Sequence, residues 1–210
     1  MVLLLAMVSG LAWTVVYVQC IRVGLRERTY AMPLAALALN FAWESMYGVH
    51  GLVAGADPQT VVNLVWALLD VGIIVTFCRF GRAEFPGLGR GMFAGLAVLT
   101  FAASYVVQWL FVAEFGWQDA AVYAAFLQNL LMSALFIAMF WARPGTRGQS
   151  PLIAVAKWIG TLAPTLLFGV VFGSSFALGL GLLCTVLDLL YAGLLRHARS
   201  TSRRLQSGMS

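Results

Sequence analysis

Apolar residues run along this chain in long blocks broken by short polar linkers. A helix needs about 20 consecutive apolar residues to cross the hydrocarbon core of a bilayer. Seven stretches meet that need: Val2–Ile21, Ala31–Val53, Thr60–Cys78, Gly91–Ala113, Ala121–Ala142, Pro151–Phe172 and Ser175–Leu195. The linkers are turn-like. Gly55-Ala56-Asp57-Pro58 follows the second span, and Gly81 through Arg90 follows the third. Pro144-Gly145 opens the fifth linker, and Gly173-Ser174-Ser175 makes the last turn. Ser150-Pro151 reads as an N-cap followed by proline at the first helical position. The pattern predicts an all-α integral membrane protein, a seven-transmembrane-helix bundle over residues 1–199 with a polar tail over 200–210.

Arginine placement orients the bundle. Arg22, Arg26 and Arg28 fall in the first linker, Arg79, Arg82 and Arg90 in the third, and Arg143 and Arg147 in the fifth. Arg196, Arg199, Arg203 and Arg204 follow the last span, while the second, fourth and sixth linkers hold no lysine or arginine. By the positive-inside rule the N-terminus is outside and the C-terminus is cytoplasmic. The first span is read as a transmembrane helix rather than a signal sequence, since it lacks a basic n-region and Arg22 closes it.

Composition agrees: 61% of the 210 residues are hydrophobic and 10% charged, against roughly a quarter charged in soluble domains. That excludes a soluble globular enzyme, a disordered chain and a nucleic-acid-binding module. The net charge of +5 is a topology signal, and no nucleic acid partner is expected. Cys20, Cys78 and Cys184 lie far apart in apolar stretches without a CxxC, and read as small packing residues.

Three acids fall inside spans: Glu44, Asp70 and Asp188. Each costs roughly 2.5–3.5 kcal/mol near a helix centre, so all three are expected to face the bundle interior. At about 1.5 Å rise per residue, Asp70 lies roughly 13 Å from Arg79, and Asp188 roughly 12 Å from Arg196. Glu44 lies roughly 16–18 Å into a helix entered near Pro33. One cavity near the midplane is expected to hold all three. No basic residue is expected at that depth, since Lys157 can snorkel to the cytoplasmic face. A carboxyl buried without a countercharge keeps its proton at neutral pH and serves as a Brønsted acid. The bland alternative is a neutral carboxyl acting as interhelical glue.

Polar and aromatic neighbours accompany the acids. Asn40, Glu44 and Tyr47 follow an i, i+4, i+7 stripe with Trp43 beside it. Asn63, Trp66 and Asp70 form another, and Tyr191 lies one turn beyond Asp188. Gln108-Trp109 and Gln128-Asn129 add polar groups to the fourth and fifth spans. Acids beside aromatic faces in a dry site suit a carbocation pathway. Trp13, Tyr17 and Trp141 are assigned to interfacial belts, and His50 reads as a polar end-of-helix residue. Pro164 is expected to kink the sixth span. No DDxxD, NSE-type or DxDD cluster occurs, and neither metal nor cofactor is expected.

Asn40-Phe41-Ala42-Trp43-Glu44 with Tyr47-Gly48, Gln128 through Ser133, Thr146 through Ser150, and Leu187-Asp188-Leu189-Leu190-Tyr191 together carry a resemblance. In order and spacing they resemble the integral membrane terpene cyclases. These are the pyripyropene- and paxilline-type cyclases of fungal meroterpenoid and indole-diterpene pathways, with bacterial relatives in indole-sesquiterpenoid pathways. The resemblance implies protonation of a terminal alkene or epoxide on a prenyl chain, metal-free cyclisation through carbocations, and deprotonation. It matches Glu44 and Asp188 to the family's catalytic acids. Glu44 is the expected initiating acid, Asp188 its partner or relay, and Asp70 a polariser or second acid. Trp43, Tyr47, Trp66 and Trp109 are candidate walls, with Gln128 and Asn129 for a polar head group. Asn40, Gln108 and Tyr191 complete the candidate binding set. The expected partners are a hydrophobic prenylated small molecule and the lipid bilayer, with the oligomeric state open. A bacterial cytoplasmic membrane is expected rather than the endoplasmic reticulum. The runner-up function is a small proton-coupled transporter using the same acids as a relay. It is disfavoured by the lack of an internal repeat. A retinal protein lacks its lysine in the last span.

Overall fold

Each helix begins where the local chemistry supplies a start. In a computed structural model, described over residues 1–143 and 145–207, the Asp57 side chain accepts from Thr60 N at 2.7 Å while Asp57 N donates to Thr60 Oγ1 at 3.3 Å. This capping box, with Pro58 behind it, launches a helix and satisfies donors its first turn leaves free. The hydroxyl and backbone N–H of Thr60 hold the Asp57 carboxyl below the usual carboxylate range. Ser150 likewise caps its helix, accepting from Leu152 N at 3.2 Å ahead of Pro151. Pro144, the tail residues 208–210, and the side chains of residues 202–207, including Arg203 and Arg204, lie outside the described part.

Among the described residues there are six α-helices: α1 Val2–Glu27, α2 Leu34–Ala54, α3 Pro58–Phe80, α4 Arg90–Ala142, α5 Pro151–Pro164 and α6 Ser175–Ser207. A 3-10 turn, Gly81–Glu84, follows α3, and a π-helical segment, Thr165–Val171, follows α5. The expectation of seven separate helices is corrected here, because the fourth and fifth spans form one element. Gly116 breaks that element with φ 70° and ψ 167°, a region essentially reserved for glycine. Gln108 Nε2 donates to Gln128 Oε1 at 2.8 Å, whereas an unbroken helix would hold residues that far apart about 30 Å from each other. The two arms of α4 therefore fold back on one another.

Among the described residues, five elements are long and apolar enough to cross a membrane: α1, α3 with its 3-10 turn, α4, α5 with the π segment, and α6. This is a multi-pass membrane protein. Helix α2 is outside that group, since Asn40, Glu44, Ser45 and His50 thin its apolar run. Neighbour relations close into a ring. Helix α1 packs on α3 and α5, α3 on α2, α2 on α4, α4 on α6, and α6 on α5. Leucines and valines such as Leu68, Val98, Val170 and Val186 cover the outer face.

At one end of the ring, Glu84 accepts from Thr29 at 2.6 Å and pairs with Arg147 at 3.1 Å. Gly148 N donates to Glu27 at 2.7 Å, and Arg199 to Gln149 O at 3.0 Å. The first, third and fifth linkers and the α6 C-terminal region thus share one end. Arg143 is drawn inside that latch. Its guanidinium lies 4.0 Å from the Tyr30 ring centroid and donates to Tyr30 O at 2.8 Å.

Pro164 ends the α-helical part of α5 because it lacks the N–H that would bond Gly160 O. Ser9 on α1 supplies that donor, with Oγ 2.9 Å from Gly160 O. A side chain at Gly160 would come within 2.9 Å of the Trp13 ring, so its absence lets α1 and α5 approach. Helix α6 continues to Ser207, into the segment read as a tail.

Candidate functional site

Asn40, Glu44 and Tyr47 fall on the buried face of α2, as their spacing requires. Helix α3 brings Asp70, with 0% of its surface exposed, so that its carboxyl faces that of Glu44. Glu44 Oε1 accepts the Tyr17 hydroxyl, and also Asn40 Nδ2 at 3.2 Å. Asn40 Nδ2 further donates to Tyr17 Oη at 2.5 Å. Behind Asn40 stand the α4 amides: Gln128 Nε2 donates to Asn40 Oδ1 at 3.4 Å, and Gln108 Nε2 to Gln128 Oε1 at 2.8 Å. Glu44 Oε2 and both Asp70 oxygens are buried without a donor in bonding geometry. Neither acid is ion-paired among the described residues. Two facing carboxylates would set like charges together in a medium of low dielectric. Only a proton carried by one of them can join the pair.

Aromatic rings lie on the helices that carry this pair, and one of them, Tyr17, bonds to it. The Tyr17 ring lies 5.9 Å from Trp13 and 5.8 Å from Trp66, whose Nε1 donates to Thr14 at 3.1 Å. Trp43 packs 4.8 Å from Tyr47 and donates to Ala121 O at 3.1 Å. The Tyr47 hydroxyl is buried without a partner.

Asp188 lies elsewhere in the polar interior, and here two expectations are corrected. Lys157 does not snorkel: it is 1% exposed, with Nζ 2.8 Å and 3.0 Å from the Asp188 oxygens and 2.7 Å from Ser133 Oγ. A cation does therefore sit at the depth of the acids. Its charge stays inside because a carboxylate and a hydroxyl replace the water it would otherwise reach for. The three acids are divided into a facing pair, Glu44 with Asp70, and an ion pair, Asp188 with Lys157.

The remaining residues are spread more widely. Trp109 is 58% exposed, on an outer groove of about 610 Å³ lined also by Ser45, His50, Tyr105 and Trp117. It lies outside because the α4 helix turns Gln108 inward and the next residue about 100° away. His50 stacks on Trp117 at 3.8 Å. Asn129 Oδ1 is buried without a partner, apart from the Gln128 amide chain. Tyr191 donates to Gln149 at 3.2 Å, and Asn63 accepts from Gln59 at 2.7 Å. Among the described residues, no three His, Cys, Asp or Glu side chains gather in a metal-ligating group.

The model of the Pyr4-like transmembrane terpene cyclases matches residues 1–200. The chain belongs to that family. It is 30% identical over 227 aligned residues to the terpene cyclase ascF of Acremonium egyptiacum, covering 95% of this chain and 82% of the relative. It is 30% identical to the Pyr4-family terpene cyclase mfmH of Annulohypoxylon moriforme, over 76% of this chain and 66% of the relative. With the terpene cyclase pyr4 of Aspergillus fumigatus the identity is 26%, over 94% of this chain and 87% of the relative. These relatives are fungal, so the expectation of a bacterial membrane finds no support and is withdrawn.

Three residues of the interior escaped the sequence reading. Trp13 and Tyr17 were assigned to interfacial belts, yet Trp13, Val16, Tyr17, Cys20, Val23 and Gly24 form a continuous buried stripe on α1. Its i, i+3, i+4, i+7 spacing was the available signal. Lys157 lies about 10 Å into its helix from Ser150, close to the depth of Asp188 measured from Arg196. Equal depth from one end of the bundle is the condition for an ion pair.

Proposed function

We propose that this protein is a membrane-embedded terpene cyclase that uses the Glu44–Asp70 pair as its Brønsted acid. The observation that carries the reading is a buried carboxyl pair that no cation meets among the described residues, with Glu44 Oε2 and both Asp70 oxygens lacking a hydrogen-bond partner and Tyr17 bonded to Glu44 Oε1. Trp43 and Tyr47 share α2 with Glu44, and Trp66 shares α3 with Asp70. Glu44 delivers a proton to the terminal alkene carbon or epoxide oxygen of a prenylated substrate, leaving a carboxylate that Asp70 supports with its own proton. The resulting cation is attacked by an internal alkene, rings close, and loss of a proton ends the sequence, so the product is an isomer of unchanged mass. Aromatic faces stabilise the passing cation, and a dry site protects it from water. The proton supplies the electrophile, and neither a metal nor a cofactor enters the proposed reaction. Asp70 takes the partner role first considered for Asp188, and Lys157 holds Asp188 as a fixed carboxylate.

Seven passes are proposed, with the two arms of α4 crossing separately and the 21-residue α2 crossing with Asn40 and Glu44 turned to the interior, the N-terminus outside and the arginine-bearing linkers cytoplasmic. Support comes from the latch that gathers those linkers at one end. Cysteines introduced at Ala56 and Gly87 should label from opposite sides of sealed vesicles. Labelling from one side overturns the orientation.

For the activity, membranes containing the protein should convert a farnesyl- or geranylgeranyl-type prenylated arene, or its terminal epoxide, to a cyclic isomer read by chromatography with mass spectrometry. Conversion should survive thorough chelation. A requirement for magnesium would sink the acid reading in favour of diphosphate ionisation.

A further inference from the structure

The hydrogen bonds around Glu44 run in one direction. Gln108 donates to Gln128, Gln128 to Asn40, Asn40 to Tyr17, and Tyr17 to Glu44 Oε1. The direction of the last link follows from the donor inventory. An amide nitrogen cannot accept, so the Tyr17 oxygen is the acceptor toward Asn40 and its single proton is free for Glu44. Oε1 is thereby an acceptor twice over, from Tyr17 and from Asn40. Oε2 has no partner. A protonated Glu44 in this setting carries its proton on Oε2, since a proton on Oε1 would meet the Tyr17 and Asn40 donors head-on.

We propose that Tyr17 is a positioning residue which, as the last link of a donor chain from the α4 hairpin, reserves Oε1 as an acceptor and presents the transferable proton on Oε2. The proposal rests on the reading of Glu44 as the acid. It reaches beyond that reading by naming the donating oxygen and the groups that select it. Tyr17 suits the task because its ring is held between Trp13 and Trp66 and is 2% exposed. Its hydroxyl has little freedom to turn away. Aligned links in such a chain polarise one another, so that each strengthens the next. When Glu44 gives up its proton, the same two donors face the new carboxylate, and bonds to a charged acceptor are stronger than those to a neutral one. Tyr17 thus favours the product of proton transfer over its starting state.

The test compares Tyr17→Phe with wild type and Glu44→Gln, all in lipid nanodiscs, by steady-state kinetics and infrared spectroscopy. The carboxyl C=O band lost in Glu44→Gln belongs to protonated Glu44. In Tyr17→Phe that band should move to higher frequency, because its carbonyl oxygen has lost a donor. The kcat should fall about 10- to 100-fold with KM little changed, the usual range for losing a hydrogen bond to a charged group. Asn40→Leu should move the band the same way, which keeps the proposal testable if Tyr17→Phe folds poorly. An unmoved band and unchanged kcat in Tyr17→Phe, with Glu44→Gln inactive, overturn the role of Tyr17 and leave the acid reading standing. Absence of any band lost in Glu44→Gln means that Glu44 is ionised, and overturns the proposal. Full turnover in Glu44→Gln removes the acid reading, and the proposal with it.

Discussion

Two halves of the polar interior hold carboxyls of the same kind in opposite surroundings. Around α1, α2 and α3, Glu44 faces Asp70 and no cation pairs with either among the described residues. Around the second arm of α4, α5 and α6, Asp188 is met by Lys157 and Ser133. On the proposed reading, the first half stores a proton that can be given away. The second binds two opposite charges to each other and leaves neither free. An acid inside a membrane protein is thus a source of protons or a structural clamp according to what the next helix places against it.

Breaking the first half should have the largest effect. Glu44→Gln keeps the size and the acceptor oxygen, and turnover should fall about 10²- to 10⁴-fold, the usual contribution of a general acid. Detergent-solubilised protein should keep its gel-filtration profile. Equal loss of turnover and of folded protein would make Glu44 a structural residue and erase the contrast.

The second half should fail differently. Lys157→Met leaves Asp188 buried and unpaired, and should cost about 3–5 kcal/mol of stability. Thermal unfolding of Lys157→Met/Asp188→Leu should recover much of that loss, since both charges are then gone. If the double variant is stable but inactive, Asp188 takes part in the chemistry after all, and the two halves are less distinct than drawn.

The smallest effect should come from the bend that joins the halves. At Gly116, alanine meets a backbone region that disfavours any side chain, at about 1–3 kcal/mol. The α4 arms would then be less well held, and the Gln108–Gln128 link with them. Gly116→Ala should lower the unfolding temperature and reduce kcat more than it raises KM. An unchanged unfolding temperature would show that the bend is not under that constraint.

Much of the fold was legible because lipid imposes a strict rule on composition. Apolar blocks of spanning length, the caps at Asp57 and Ser150, and the shared side of the arginine-bearing linkers all follow from short-range patterns. Gly116 was harder to read, since a single glycine between two apolar runs does not announce a fold-back. The stripe of Asn40, Glu44 and Tyr47 was legible from helical spacing. Tyr17 and Lys157 were not recognised, because the habits of tyrosine and lysine at membrane surfaces pointed the other way.

The sequence by itself determined the solvent, most of the apolar segments long enough to span, the family's motifs and the presence of acids that lipid cannot tolerate unpaired. Those are properties of residue type and spacing along one chain, set by transfer energies and helical geometry. Only the tertiary structure decided which acids meet. It set Asp70 against Glu44, closed Lys157 onto Asp188, and turned Trp109 out while bringing Tyr17 in. The reason is rotational: depth along a helix can be counted from its ends, but the partner of a side chain depends on how neighbouring helices are turned and packed.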